Sequence, residues 1–252
     1  MNRFGKKVAG ISAMLVCGSI FGQPVFHFEA NEEKKLPEKV EIVKQYAPDG
    51  ISWSAASVPG KFAIDIDGMP KKGAPLRFSS PELIKLCTNG FTVEMRIFPR
   101  LRRNNPNFGG PGNNITNEVI LSMGSAWHGK GFFIKIFQND LGFGIYKQQW
   151  HSWFVNYNIS KLKDQWLDMA FVYAPESGYL AVYIDSKRCA LKKIDGRGHE
   201  CSLPLLIGGE STDWTFDGLI DKITITPRVK TPEELSNVNM AVEAGAKKLN
   251  EL

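Results

Sequence analysis

The stretch from Ile145 to Tyr157 carries the residue types in this chain that best suit ligand recognition. It reads IYKQQWHSWFVNY, and successive side chains of an extended strand point to opposite faces. Both faces then carry aromatic rings, with amide and imidazole groups beside them. One face is expected to be buried and the other exposed. The two-residue alternation of a strand does not decide which face is the buried one. An exposed tryptophan beside glutamine and histidine suits stacking on a pyranose ring.

A neighbouring turn adds a Trp-His pair to this region. The predicted ligand-binding residues are Trp127, His128, Tyr146, Gln148, Trp150, His151 and Trp153. The alternative interpretation is that the same aromatic rings only cover the hydrophobic core of a sandwich, where large apolar side chains usually lie.

Catalytic constellations are missing from the sequence. Hydrolysis of a glycosidic bond needs two carboxylates at a fixed separation, whereas Glu94 and Glu118 stand isolated on their strands. A serine or cysteine triad has no nucleophile motif here, and the four histidines are not spaced as metal pairs. The sequence therefore predicts a protein that is not an enzyme, and a divergent enzyme is kept as a minor hypothesis.

The elements that must position these residues belong to one large domain. The chain has 252 residues, with a formal net charge of +5. Removal of three of its 31 basic residues with an N-terminal export segment leaves 28 against 26 acidic ones. Such a small excess gives no basis for nucleic-acid binding, which needs a concentrated basic surface.

That N-terminal segment, residues 1–22, has the features of a signal peptide. Arg3, Lys6 and Lys7 precede an apolar run from Val8 to Phe21, which is short for a membrane span of about 20 residues. Export to the outside, the cell surface or the periplasm is therefore predicted. Contact with a membrane is expected only if the segment is retained or is lipidated at Cys17.

Export favours a disulfide between Cys189 and Cys201, which flank the turn-rich stretch LKKIDGRGHE. The two strands could lie side by side across such a turn. The alternative is two free thiols that pack as small apolar groups. In either case Cys87 is left over, and it is expected to be buried.

Five motifs indicate strands along the middle of the chain. They are PVFHFEA, VPGKFAIDIDG, FTVEMRIFP, the pair WLDMAFVY and YLAVYID, and the closing stretch PLLIGGESTDWTFDGLIDKITITPR. In this order they resemble the strands of laminin G-like, concanavalin A-like jelly rolls. The resemblance covers about Pro24 to Arg228 and implies an all-β, antiparallel two-sheet jelly-roll sandwich. It implies little about chemistry, because one fold hosts many functions.

The resemblance also implies that a structural calcium ion could be bound, since this fold often carries one. Asp213, Asp217 and Asp221 lie in or near the closing hairpin, and Asp49 lies in an early loop. Asp221 matches a family position that more often makes a structural hydrogen bond. No other cofactor is predicted.

The C-terminal segment, residues 229–252, is predicted to be a helix. Thr231 suits the N-cap, Pro232 the first helical position, and Glu234 completes a capping box. An apolar stripe follows with three- and four-residue spacing, formed by Leu235, Val238, Val242, Leu249 and Leu252. The stripe either packs on the sandwich or docks a partner.

These observations predict a signal peptide over residues 1–22, a laminin G-like jelly-roll domain over 23–228 and a helix over 229–252. The expected function is that of an exported, non-catalytic, lectin-like domain with a glycan as its partner. The alternative is a structural or protein-interaction module of a surface assembly, with a surface protein as its partner.

Overall fold

The computed structural model describes residues 23–67, 74–101, 117–125, 127–210 and 215–235. The strands, in chain order, are β1 Phe26–Glu29, β2 Val40–Ile42, β3 Ser52–Ala55, β4 Phe62–Ile66, β5 Leu76–Phe78, β6 Phe91–Pro99, β7 Asn117–Ser125, β8 Lys130–Phe137, β9 Asp140–Gln148, β10 His151–Asn158, β11 Leu167–Ala174, β12 Tyr179–Ile184, β13 Lys187–Lys193, β14 Leu205–Ile207 and β15 Gly218–Thr226. Within the described residues the single α-helix is α1, Leu86–Asn89. Three 3-10 turns lie at Pro81–Leu83, Ser160–Leu162 and Pro232–Glu234.

The strands form two antiparallel sheets. The first sheet has the order β13-β12-β11-β6-β15-β4-β3, and β1 also pairs with β15. The second has the order β10-β9-β8-β7-β14-β5-β2. Neighbours in space are often distant in the chain, as with β6 beside β15. This arrangement confirms the predicted all-β, two-sheet jelly-roll sandwich.

The core lies between the sheets and follows the alternation of the strands. On β6 the side chains of Phe91, Val93 and Met95 face inward and are buried. The intervening Thr92 and Glu94 face outward, yet they are buried as well. A second layer therefore covers part of the outer face of the first sheet.

That layer is the chain after β15, residues 227–235, which we call the strap. Leu235 is fully buried in a small apolar cluster on the outer face, formed with Ala170, Val172, Ala174, Ala181 and Tyr183. The Lys230 ammonium group pairs with the carboxylate of Glu94, and its backbone N–H donates to Oγ1 of Thr92 over 3.0 Å. The strap therefore closes the face that the alternation of β6 leaves open.

The predicted start of the C-terminal helix is present, but only as one turn. Thr231 and Glu234 form the capping box around Pro232–Glu234, and Leu235 returns to extended backbone with φ −70° and ψ 129°. Within the described residues the helical conformation therefore ends at Glu234. The rest of the predicted helix, residues 236–252, lies outside the described residues, as does the predicted signal peptide, residues 1–22. In the described part of the chain no helix is long and apolar enough to span a membrane.

The predicted disulfide is wrong, because Cys87, Cys189 and Cys201 all carry free thiols. Cys189 lies on the edge strand β13 of the first sheet. The chain then crosses to β14 of the second sheet instead of turning back beside β13. The crossing is anchored in the core, where Gly198 N–H donates to the Tyr173 hydroxyl over 2.7 Å and Cys201 N–H to the Ile84 carbonyl over 3.0 Å. Cys87 is fully buried, as predicted.

Candidate ligand-binding site

Two turns at one end of the second sheet hold the exposed tryptophans. Strands β7 to β10 are consecutive and antiparallel, so the β7–β8 turn and the β9–β10 turn lie at the same end of the sheet. Trp127 occupies the first turn and Trp150 the second. The stretch from Ile145 to Tyr157 is therefore a hairpin with its turn at Gln149 and Trp150, and not the single strand that its pattern predicted.

The two indole rings form a corner that is open to solvent. Their centroids lie 4.3 Å apart and their planes meet at 67°. Trp127 is 69% exposed and Trp150 is 56% exposed. Burial of such rings is favourable by about 25 cal/mol per Å² of apolar surface. This corner is therefore an apolar surface from which a ligand can gain binding energy.

The backbone holds the two turns against each other. Gly129 has φ +60°, and a Cβ atom placed on it would lie 2.2 Å from the backbone N of Gln149. Only glycine permits this approach. Trp150 also has a positive φ, 64°, which is uncommon for a bulky residue and is found where the surroundings over-determine the conformation, often at binding sites.

Polar side chains surround the corner. His128 Nδ1 lies 2.8 Å from Oγ of Ser125, which ties the imidazole to its own turn. Gln148 and His151, at the base of the second turn, are exposed. Beside them, His199 Nε2 donates to the Lys147 carbonyl over 2.7 Å and fixes the chain that crosses between the sheets. These groups can donate and accept hydrogen bonds at the rim of the corner.

Trp153 lies apart from the corner, because its side chain points into the core and is only 8% exposed. Its Nε1 donates to Oδ1 of Asp195 over 2.7 Å, and this bond holds the pKa of Asp195 below its usual range. Val155 faces inward beside it. The inward face of β10 is therefore the core face, and Trp153 does not contribute an exposed ring.

Tyr146 belongs to a closed aromatic layer on the outer face of the second sheet. Its ring lies 5.0 Å from that of Phe133, which lies 5.8 Å from that of Phe154. The rings lie directly over two glycines, so a Cβ atom on Gly142 or Gly144 would come within 2.3 Å of them. Phe133 is only 5% exposed. This layer covers part of the sheet, with Phe133 buried and Tyr146 and Phe154 half-buried.

Of the seven predicted residues, the structure therefore brings Trp127, His128, Gln148, Trp150 and His151 to one end of the second sheet. Sequence analysis missed Gly129, at which the two turns meet, and His199, which bonds to the strand before the second turn. A glycine directly after a Trp-His pair in a turn was the available signal for the first, whereas the contact of His199 is formed only across the fold.

Arg100 neutralises two carboxylates in the region proposed for calcium. Its guanidinium lies 3.1 Å from Asp217 and 2.7 Å from Asp65. Asp221 instead accepts a hydrogen bond from Ser57, and Asp49 is exposed in its loop. Asp213 lies outside the described residues. In the described ranges no group of three or more His, Cys, Asp or Glu side chains could hold a metal ion.

A small charged pocket on the outer face of the first sheet also gathers carboxylates. Its volume is about 170 Å³, and its lining includes Glu94, Asp168 and Asp221. Each of them faces a cation: Glu94 pairs with Lys230, and Arg96 lies 3.6 Å from Asp168 and 3.9 Å from Asp221. Burial raises the pKa of Asp168. Ligand pockets usually measure about 300–1,000 Å³, so this pocket is small for a sugar chain.

Solved structures with the same architecture include several carbohydrate-binding domains. Domain 4 of the extracellular GH43 arabinanase AbnA from Geobacillus stearothermophilus, in complex with arabinotriose, is 15% identical with a TM-score of 0.53, and the match covers 86% of this chain and 87% of that one. The binding domain of botulinum neurotoxin DC, in complex with SialylT, is 14% identical with a TM-score of 0.52, over 77% of this chain and 45% of that one. The CBM40 domain of the Ruminococcus gnavus IT-sialidase is 12% identical with a TM-score of 0.52, and the match covers 69% of this chain and 94% of that one. At these identities the likeness shows the fold.

The family comparison agrees with the architecture. A search of curated proteins finds no match. Residues 74–236, more than half of the chain, match the model of the concanavalin A-like lectin/glucanases superfamily. The match includes both turns of the aromatic corner and the strands that carry them. The chain therefore belongs to the concanavalin A-like lectin/glucanases superfamily.

Proposed function

We propose that this protein is an exported, non-catalytic carbohydrate-binding domain, and that its ligand stacks in the corner of Trp127 and Trp150. The observation that carries the proposal is the exposed pair of indole rings, whose centroids lie 4.3 Å apart on two turns that meet at Gly129. A ring held in place before binding loses little conformational entropy when the ligand arrives.

The surroundings of the corner suit a sugar. The C–H groups of a pyranose pack on an indole face, while its hydroxyl groups need donors and acceptors at the edge. His128, Gln148 and His151 supply such groups. Two structures of similar fold were solved in complex with arabinotriose and with SialylT, which supports a glycan as the partner of this chain as well.

Export and the lack of catalysis are part of the same proposal. Residues 1–22 have the composition of a signal peptide, which supports export of the domain to the outside of the cell, its surface or the periplasm. The carboxylates of the charged pocket each face a cation, an arrangement that favours ion pairing over the acid and base roles of a glycosidase.

A glycan array with matched variants tests the proposal. Trp127→Ala and Trp150→Ala are expected to weaken binding at least about tenfold, or about 1.4 kcal/mol, because each removes a stacking surface. Phe137→Ala is the control, since Phe137 is also exposed, at 39%, but lies at the opposite end of β8. Absence of binding to any glycan, or equal binding by the wild type and both tryptophan variants, would overturn the proposal.

The alternative is a structural or interaction module that uses the chain beyond the strap. Leu235, the first residue of the predicted apolar stripe, packs on the first sheet, so the proposed docking residues are Val238, Val242, Leu249 and Leu252. A chain truncated after Leu235 keeps the strap and loses these four residues. If analytical ultracentrifugation finds fewer subunits in the assembly of the truncated chain than in that of the full chain, the stripe mediates association. An unchanged number of subunits removes the main support of this alternative.

A further inference from the structure

Resting on the proposed function, we infer that the corner of Trp127 and Trp150 binds the terminal unit of a glycan, and not an internal stretch of a linear polysaccharide. The inference concerns the shape of the ligand at this site. It follows from the angle between the rings, from the distance to other exposed rings and from the rigidity of the turns.

The angle of the corner sets how a sugar can lie in it. A pyranose is roughly flat and can stack on only one of two planes that meet at 67°. The second indole then stands beside it as a wall. A linear chain that continued past this wall would leave the stacking plane, whereas a chain end can enter the corner and stop there.

The second sheet offers no track along which a linear chain could continue. The next exposed ring on β8 is Phe137, seven residues from Lys130, or about 23 Å at about 3.3 Å per residue. Phe133 lies between them and is buried beneath its neighbours, with Lys135 Nζ 5.0 Å from its ring centroid. Among the described residues of β8, β9 and β10, the other exposed aromatic side chain besides Phe137 is that of Tyr157, which lies opposite Leu141 at the far end of β10, whereas Tyr146 and Phe154 are half-buried.

The corner is also fixed in shape. Gly129 packs on the peptide between Gln148 and Gln149, so the first turn cannot move toward the second. Trp150 is held in left-handed backbone at the hairpin turn, and its ring packs against that of Trp127. To open the corner into a flat platform, each ring would have to leave its packing against the other.

Titration of the purified protein with oligosaccharides of increasing length tests the inference. The probes are the mono- to hexasaccharides of the arabino-, xylo-, cello- and chito- series, together with sialyllactose. Affinity is expected to stop rising at the disaccharide or trisaccharide, whose affinity should lie within about twofold of that of the hexasaccharide. Trp150→Ala is expected to weaken binding of short and long probes by the same factor, and Phe137→Ala to leave both unchanged.

Two outcomes separate this inference from the proposed function. Affinity that depends on Trp150 but rises about tenfold or more up to the hexasaccharide would overturn the inference alone, and so would weaker hexasaccharide binding by Phe137→Ala. No binding by any probe, or binding indifferent to Trp150, would overturn both.

Discussion

Three of the tryptophans that sequence analysis singled out have different environments. Trp127 and Trp150 lie in turns and are exposed, whereas Trp153, three residues beyond Trp150, is buried and bonded to Asp195. The difference arises because Trp150 lies in the hairpin turn, whereas Trp153 lies on the next strand, β10, whose inward face is covered by the core. At the scale of single residues, position in the turn decides which indole can meet a ligand.

Gly129→Ala is expected to weaken glycan binding severalfold. The new Cβ would clash with the backbone N of Gln149 and push the two turns apart. The matched control is Gly60→Ala, because Gly60 also has a positive φ, +80°, but has no atom within 4 Å of the added Cβ. Both variants are expected to lose about 1–2 kcal/mol of stability, because an alanine is strained in left-handed backbone. Equal affinities of the two variants in a glycan titration would contradict the role of Gly129.

At the scale of elements, the strap closes the outer face of the first sheet. It replaces solvent over Thr92, Glu94 and the small side chains of β11 with apolar and ionic contacts. The alanines of β11 and β12 leave room for Leu235, which explains why so short a segment buries a leucine completely. The strap is thus part of the fold of the domain.

Leu235→Ala is expected to lower the free energy of unfolding by about 2–3 kcal/mol, at the lower end of values for buried leucines because the strap can relax. The surface variant Leu191→Ala is the control, since Leu191 is 49% exposed, and it is expected to change stability by less than about 0.5 kcal/mol. Urea denaturation measures both. Equal midpoints for the two variants would show that the strap does not contribute to stability.

The strap is also expected to lose stability in acid. A hydrogen bond from Arg228, aided by the backbone N–H of Thr231, lowers the pKa of Glu234 from 4.5 to about 2. A carboxylate whose pKa is depressed on folding stabilises the folded state above its unfolded pKa, and this contribution is lost as pH falls through the folded pKa. The wild type should therefore exceed Glu234→Gln in stability at neutral pH, and the difference should vanish between about pH 4.5 and 2.

Denaturation of both proteins across this pH range measures the difference. Glu32→Gln, at an exposed loop position, controls for the loss of a negative charge. A gap between wild type and Glu234→Gln that stays constant down to pH 2 would contradict the role of the Arg228 pair.

At the scale of the whole molecule, both outer faces of the sandwich are partly covered by the chain's own side chains. The strap and its ion pairs cover part of the first sheet, and the layer of Phe133, Tyr146 and Phe154 covers part of the second. The exposed tryptophan pair therefore lies at the rim, where loops of a rigid scaffold commonly bind ligands.

The closed core also predicts how the thiols react. Native protein treated with iodoacetamide is expected to be labelled at Cys189 first, since Cys87 and Cys201 are fully buried and burial raises the pKa of both. Peptide mapping after unfolding without reductant is expected to find all three thiols free. Recovery of a linked Cys189–Cys201 peptide would contradict the structure.

The amino-acid sequence determined the fold class, the order of the strands and the start of the strap. Alternation along FTVEMRIFP and the capping box at Thr231 are local properties, because they depend on the geometry of consecutive residues. The same local signals indicated that Trp127, Trp150 and Trp153 were candidates for a ligand surface.

Tertiary structure decided which of these candidates is exposed and which cysteines are neighbours. Burial of Trp153 depends on the opposing sheet that covers its face, and the separation of Cys189 from Cys201 depends on a chain segment that crosses between sheets. The corner of Trp127 and Trp150 needs Gly129 to meet the Gln148–Gln149 peptide. Contacts of this kind join residues that are distant in the chain, so the pattern of consecutive residues cannot predict them.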